Sequence, residues 1–213
     1  MIFSKFDNKF YIFVLSAILV LFCSIFILSF FHIINMWSFS QSHLNYSQGF
    51  VRRGLFGSVM LGLDTFFHIP TKYFFSLFFC IVNIFNIVFF FKLIKKFIHN
   101  KIIFLFIALN PALLLFSFYD LGGYSRFDTI SISLIILHST FAYKIYDNKL
   151  TLIQYQNYLY FLLFPLITIS FLIHEMQLFT LIFHFIITIN IYNFNKIKNK
   201  MWVFFFILTI FFF

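Results

Sequence analysis

The chain has 213 residues, of which 62% are hydrophobic and only 10% are charged. This composition excludes a water-soluble domain, because apolar runs of about 20 residues, the length that crosses a bilayer, recur along the chain. The runs are continuous, which also excludes the short alternating segments of a transmembrane β-barrel. A net charge of +9 would indicate a nucleic-acid partner in a soluble protein, but here the lysines lie between apolar runs, so membrane topology explains them and no nucleic acid is expected. The sequence therefore predicts an all-α, polytopic transmembrane helical bundle.

Six apolar runs predict the helices that cross the membrane. The first has no small-residue cleavage site after it, so we expect it to remain as a membrane anchor. The last is still apolar at Phe213, so we expect one transmembrane domain over residues 1–213 that is incomplete at its C-terminus. The runs extend over Tyr11–Ile34, Tyr73–Phe91, Ile102–Phe118, Thr129–Tyr143 and Tyr158–Tyr192, and the last starts at Met201.

The fifth run, of about 35 residues, is too long for a single span. As one helix it would reach roughly 52 Å at 1.5 Å per residue, whereas the hydrocarbon core is about 30 Å thick. The polar pair His174–Glu175 lies near the middle of the run. We therefore predict a helical hairpin with arms of about 16 residues each, which gives about six to seven spans in all.

The charges sort to two sides when the N-terminus is placed in the cytoplasm. The outer segments then carry Lys72, all three arginines and all six glycines. The positive-inside rule expects the opposite side to be rich in lysine, as it is. We therefore expect a multi-pass protein of the inner (plasma) membrane whose functional site faces outward. The 11 inner lysines are Lys5, Lys9, Lys92, Lys95, Lys96, Lys101, Lys144, Lys149, Lys196, Lys198 and Lys200.

The first outer loop, residues 35–71, contains the arginine segment "YSQGFVRRGLFGSVMLGLD". At 100° per residue it predicts an amphipathic helix that lies along the outer membrane surface. Its apolar face is formed by Leu55, Phe56, Val59, Met60 and Leu63, and its opposite face by Arg53, Gly57 and Asp64. Two interpretations of Arg52 and Arg53 remain open. Either they contact the phosphates of membrane lipids, or their planar guanidinium groups bind a specific phosphate or diphosphate.

The second outer loop is "YDLGGYSRFD", residues 119–128. Ser125 and Asp128 have the spacing of a capping box, which would start the next helix. This explains neither Asp120 nor Arg126. Asp120 is a candidate base or metal ligand, and Arg126 is a candidate anion-binding residue. The alternative is an ion pair between Asp120 and Arg126.

The predicted hairpin tip reads "IHEMQ". A His and a Glu at such a position are costly to bury and often functional. His174 is therefore a candidate general base, with a solvated turn residue as the alternative. Two such groups are too few for a metal site, so no bound metal is predicted. The remaining histidines in or near apolar runs, His32, His138 and His184, are interpreted as packing or interfacial residues without partners.

The whole chain resembles, in outline, the integral membrane polymerases and glycosyltransferases of bacterial surface-polysaccharide clusters. The segments "GFVRRGLFG" and "YSRFD" are similar to the outer-face arginine pattern of O-antigen polymerases and ligases. The resemblance implies a polyprenyl-diphosphate-linked sugar as substrate, no cofactor, and polysaccharide-assembly proteins and membrane lipids as partners. Substrate binding would fall to Arg52, Arg53, Arg126, Asp128 and Glu175, and deprotonation of the acceptor hydroxyl to His174 or Asp120.

Two alternatives to this function remain open. A metal-assisted GT-C type glycosyltransferase would use a divalent metal and an acid from Asp64, Asp120 or Asp128. A non-enzymatic flippase, transporter or assembly partner is the other alternative. A transporter should have polar groups near the bilayer midplane, and the predicted spans contain few.

Overall fold

The computed structural model describes residues 8–32, 54–68, 70–98, 100–110, 126–173 and 179–194. Within these ranges the chain is helical and contains no strand. Three helices are long and apolar enough to cross a membrane, over Asn8–Leu28, Thr71–Phe97 and Leu152–Ile173. The all-helical fold of a membrane protein is thus confirmed in its coarse form, and the number of spans stays a prediction. The helices are α1 (Asn8–His32), α2 (Gly54–Phe67), α3 (Thr71–Phe97), α4 (Lys101–Ala108), α5 (Asp128–Tyr146), α6 (Leu152–Ile173) and α7 (Leu181–Phe194).

The predicted hairpin falls on α6 and α7. The Gln156 side-chain amide, near the start of α6, donates a hydrogen bond of 3.2 Å to the Tyr192 hydroxyl, near the end of α7. This contact is compatible with a hairpin, and the crossing of the membrane by both arms stays a prediction. Its first arm is longer than predicted and begins at Leu152. The reason is a capping box, in which the Gln154 amide N–H donates to Thr151 Oγ1 (3.3 Å) and the Thr151 N–H donates to Gln154 Oε1 (3.0 Å).

One stretch of α6 departs from α-helical geometry. The helix is regular over Leu152–Tyr158 and Phe164–Ile173, but the five residues Leu159–Leu163 between them form a π-helix, closed by a bond from the Phe164 N–H to the Leu159 carbonyl. Pro165 follows directly. Proline has no N–H, and its ring clashes with the carbonyl four residues earlier, so a wider turn accommodates it.

The helix α5 packs against α3, α6 and α7 and therefore lies at the centre of the described bundle. It forms where the fourth span is predicted, but it is not among the three helices apolar enough to cross a membrane unaided. Its buried residues include the polar Thr129, Ser131 and His138. It joins two apolar cores: Phe127 and Ile136 belong to one with α1–α4, and Phe141 belongs to another with α6 and α7.

The described helices have a lysine-rich end. Lys95 at the end of α3 donates a hydrogen bond of 2.6 Å to the side-chain oxygen of Asn8, where α1 begins. The neighbouring Lys96 ammonium lies 3.8 Å from the ring centroid of Tyr143, near the end of α5. The predicted grouping of the N-terminal segment with residues 92–101 and 144–149 is therefore confirmed for the residues described. The side of the membrane on which this lysine end lies stays a prediction.

Candidate functional site

The helix α2 forms where the sequence predicts an amphipathic helix, but its packed face differs. Gly54, Phe56, Gly57 and Met60 are buried, whereas the side chain of Val59 is 50% exposed. The prediction that Gly57 lies opposite the apolar face was therefore wrong. Helix contacts in membranes favour small residues, because these allow two helix backbones to approach closely. Hydrophobic periodicity does not identify such residues as part of a packed face. The packed face meets α3 and the second part of α6.

An aromatic cluster joins the beginnings of three helices. Phe56, in the first turn of α2, has its ring centroid 5.2 Å from that of Phe127, which immediately precedes α5. Phe75 and Phe79 of α3 pack against both rings, with centroid distances of 5.5–6.5 Å. The N-termini of α2, α3 and α5 therefore lie near one another, at the opposite end of α3 and α5 from the lysine end. Helix N-termini present unpaired N–H groups and a partial positive charge, so each of these three helix starts favours a nearby anion.

Arg126 is the arginine that the structure describes, and it lies at this end. Its Nη2 is 2.6 Å from Oδ2 of Asp128, and the two side chains are 55% and 42% exposed. The carboxylate next to Arg126 is thus that of Asp128, two residues along the chain. A guanidinium carries five N–H donors in a planar fork, which suits oxygen acceptors.

The capping box was predicted for Ser125, which lies outside the described residues, and Asp128. The helix α5 begins at Asp128, with Phe127 in the N-cap position and no side-chain capping bond. Asp128 therefore takes the first helical position, and a capping box would need it at the third. The Thr129 hydroxyl donates instead to the Arg126 carbonyl, at 2.7 Å. The negative charge of Asp128 still interacts favourably with the helix dipole.

The other predicted site residues lie outside the described residues, and their roles stay predictions. Two arginines immediately precede α2 in the sequence, and the His–Glu pair immediately follows α6. These residues, with the acid of the second outer loop, are Arg52, Arg53, Asp120, His174 and Glu175.

A second polar constellation lies inside the bundle, between α5, α6 and α7. His138 Nδ1 is 3.0 Å from His184 Nδ1, and His138 Nε2 is 2.6 Å from the Tyr155 hydroxyl. The Thr188 hydroxyl, one turn further along α7, donates to the His184 carbonyl at 2.8 Å. Both histidines are 0% exposed and Tyr155 is 1% exposed. We refer to Tyr155, His138 and His184 as the histidine–tyrosine chain.

The interpretation of His138 and His184 as residues without partners was therefore wrong, because both belong to the histidine–tyrosine chain. The pairing was missed because its members are 46 and 17 residues apart in the sequence, so no local pattern connects them. The available signal was the rarity of ionisable residues in membrane helices, which makes each one a candidate functional residue. Antiparallel packing of α6 and α7 around α5 then brings three of them together.

One nitrogen of the chain has no hydrogen-bond partner among the described residues. His184 Nε2 is fully buried and accepts or donates no hydrogen bond there. A buried polar atom in this state is costly, by about 1–3 kcal/mol, and such atoms call for a functional or ligand-related explanation.

Within the described ranges, no group of three or more His, Cys, Asp or Glu side chains could hold a metal ion. The described polar groups include an exposed Arg126–Asp128 pair and the buried histidine–tyrosine chain. Among known proteins, no family model, curated protein or solved structure matches the chain.

Proposed function

We propose that this membrane protein is an enzyme of surface-polysaccharide assembly that acts on a polyprenyl-diphosphate-linked sugar. One observation supports the proposal above the others: the contact between Phe56 and Phe127, whose ring centroids are 5.2 Å apart. Phe56 follows Arg53 by three positions, and Phe127 follows Arg126 directly. The contact therefore joins the two chain segments that carry all three arginines, at helix starts that each favour a nearby anion.

In the proposed reaction, the acceptor hydroxyl attacks the anomeric carbon of the lipid-linked sugar. The bond from that carbon to the diphosphate oxygen breaks, and the bonding electrons leave with the diphosphate. Arg52, Arg53 and Arg126 would stabilise this growing negative charge, since guanidinium binds two phosphate oxygens at once. His174 or Asp120 would accept the proton of the acceptor hydroxyl. Asp128 and Glu175 would help to position the substrate, and no cofactor takes part.

The Arg126–Asp128 ion pair is compatible with this role. Both side chains are about half exposed, and such pairs contribute only about 0–1 kcal/mol. A diphosphate carries more negative charge than one carboxylate and offers more oxygen acceptors. Exchange of Asp128 for the substrate at Arg126 would therefore cost little free energy, and the carboxylate would keep the guanidinium near its binding position in the free protein.

The proposed topology follows from the lysine end. With that end in the cytoplasm, the arginine segments face outward, where lipid-linked sugars are polymerised in the families that the chain resembles. The protein is then a multi-pass protein of the inner membrane with about six to seven spans and a cytoplasmic N-terminus. Its partners are membrane lipids, the lipid-linked sugar and other polysaccharide-assembly proteins.

The proposal is tested by Arg126→Lys, which keeps the charge but removes the planar fork. In cells that lack the native gene, we expect the variant to reach the membrane and polymer to fall by about 10²–10³-fold, the effect of losing one donor to the leaving group. Lys72→Ala is the matched control, because Lys72 is also a cation at this end of the bundle and contacts the ring of Tyr73. Polymer of normal amount and length from Arg126→Lys would refute the assignment.

A second candidate function is transport of a solute coupled to proton movement. The buried histidine–tyrosine chain favours it, since ionisable residues inside membrane bundles often mark proton pathways. Two variants distinguish the transporter from the enzyme. A transporter should lose solute uptake with His138→Gln and keep it with Arg126→Lys, whereas the proposed enzyme should lose polymer with Arg126→Lys.

A further inference from the structure

The histidine–tyrosine chain has room for one hydrogen in each of its links. Only one hydrogen fits between the two Nδ1 atoms of His138 and His184, 3.0 Å apart. Likewise, only one fits between His138 Nε2 and the Tyr155 hydroxyl oxygen, 2.6 Å apart. A neutral imidazole carries one N–H, on either nitrogen, and a hydroxyl carries one O–H. The chain therefore has two complete arrangements of its hydrogens while both rings are neutral.

In the first arrangement, the Tyr155 hydroxyl donates to His138 Nε2, and the His138 Nδ1–H donates to His184 Nδ1. His184 then carries its hydrogen on Nε2. In the second arrangement, the hydrogen within each link lies on the other atom of that link. The His184 Nδ1–H donates to His138 Nδ1, and the His138 Nε2–H donates to the Tyr155 oxygen. His184 Nε2 then has a free lone pair.

We propose that His138 and His184 form a buried proton-binding site, in which the two rings share one proton between their Nδ1 atoms. Starting from the second arrangement, a proton binds to the lone pair of His184 Nε2. Both rings then carry an Nε2–H, and the hydrogen between the Nδ1 atoms lies on either ring. Release of a proton from the same Nε2 atom restores the second arrangement. The atom that takes up the proton also gives it back, so the step balances. The inference depends on neither proposed function.

The unpartnered His184 Nε2 is the atom of this site that is left to take up a proton. The atom is fully buried and has no acceptor or donor beside it in the part of the chain that the structure describes. His184 lies in the first turn of α7, and Tyr155 lies in the first turn of α6.

The ionisable groups around the site are mainly tyrosines. On α6 and α7 they are Tyr155 itself and Tyr192, and on α5 the nearest is Tyr146. The helix α3 packs on α5 too, but its Lys95 and Lys96 contact Asn8 and Tyr143 at the lysine end. No described carboxylate contacts the histidine pair. A bound proton is therefore stabilised by sharing between the rings and by the hydroxyl of Tyr155.

The test is nitrogen NMR of the full-length protein in lipid bilayers, with ¹⁵N-labelled histidine and a pH series between about pH 8 and pH 4. We expect a coupling across the hydrogen bond between the two Nδ1 atoms, and uptake of one proton that shifts the signals of both rings together. The signals are assigned by their loss in His138→Gln and His184→Gln. His68→Gln is the matched control, because His68 is an exposed histidine outside this site.

Three results would overturn the proposal: absence of the Nδ1–Nδ1 coupling, separate protonation of each ring, or no protonation of either ring across the series. Tyr155→Phe keeps the inference testable if a histidine variant does not fold, because it removes only one hydroxyl. It should shift the His138 Nε2 signal and retain the Nδ1–Nδ1 coupling. An unchanged His138 signal in Tyr155→Phe would also contradict the chain.

Discussion

The aromatic cluster at the start of α2 makes a quantitative prediction for Phe56→Ala. Phe56 is 6% exposed, and its ring lies 5.2–6.2 Å from four other phenylalanine rings, of which Phe127 is the nearest. Truncation of a buried phenylalanine costs about 3–5 kcal/mol, as lost contacts and a residual cavity. We expect that loss in the free energy of unfolding, measured by denaturant titration of the purified protein in detergent.

A double-mutant cycle isolates the contact on which the proposed anion site depends. Phe56→Ala and Phe127→Ala should be non-additive by about 0.5–1.5 kcal/mol, the range for an aromatic pair in edge-to-face contact. Phe66 on the same helix is 84% exposed, and Phe66→Ala should change stability by less than about 0.5 kcal/mol. Additive effects of Phe56→Ala and Phe127→Ala would refute the reasoning, because the beginnings of α2 and α5 would then not be in contact.

Three further predictions concern local stability and charge. Gly62→Ala should stabilise the protein by about 1 kcal/mol in the same titration, since a Cβ at this helical position meets no atom within 4 Å; destabilisation would contradict the open space. Thr151→Ala should destabilise α6 by about 1 kcal/mol through loss of the capping box, and Thr151→Ser should retain most of it. The carboxylate of Asp147 raises the pKa of Lys149 above its ordinary 10.5, so this pair is favourable below that pH and is lost as pH rises through the raised pKa. Asp147→Asn should lower the pKa of Lys149, as read by NMR of the ammonium group, and an unchanged value would show that the pair does not form in solution.

Most of the coarse fold could be predicted from hydrophobicity and length. The helices α1, α3 and α6 lie where apolar runs are long enough to cross a bilayer, and the hairpin follows because the fifth run exceeds one membrane thickness. The start of α6 could not be found in this way. Its first two turns contain Gln154, Gln156 and Asn157, which separate Leu152 and Ile153 from the apolar run. The start is specified by Thr151 and Gln154, whose capping signal lies outside that run.

Side-chain packing was harder to predict than helix position. The periodicity of residues 54–67 predicts a helix correctly, yet the buried face contains Gly54 and Gly57, because close approach depends on size and not on hydrophobicity. The histidine–tyrosine chain was not predictable at all from local pattern. It depends on the relative placement of α5, α6 and α7, and a single sequence gives no distance between residues 138 and 184.

The π-helical segment Leu159–Leu163 has a consequence for the phase of α6. A π turn holds one more residue than an α turn, so the residues before and after it face directions that differ by about 100° from those of an uninterrupted α-helix. The extra residue thus sets which side of the second half of the helix meets its neighbours, while Tyr155 in the first half stays directed at His138. Deletion of one residue within this segment would rotate the two halves of α6 relative to each other without shortening either half.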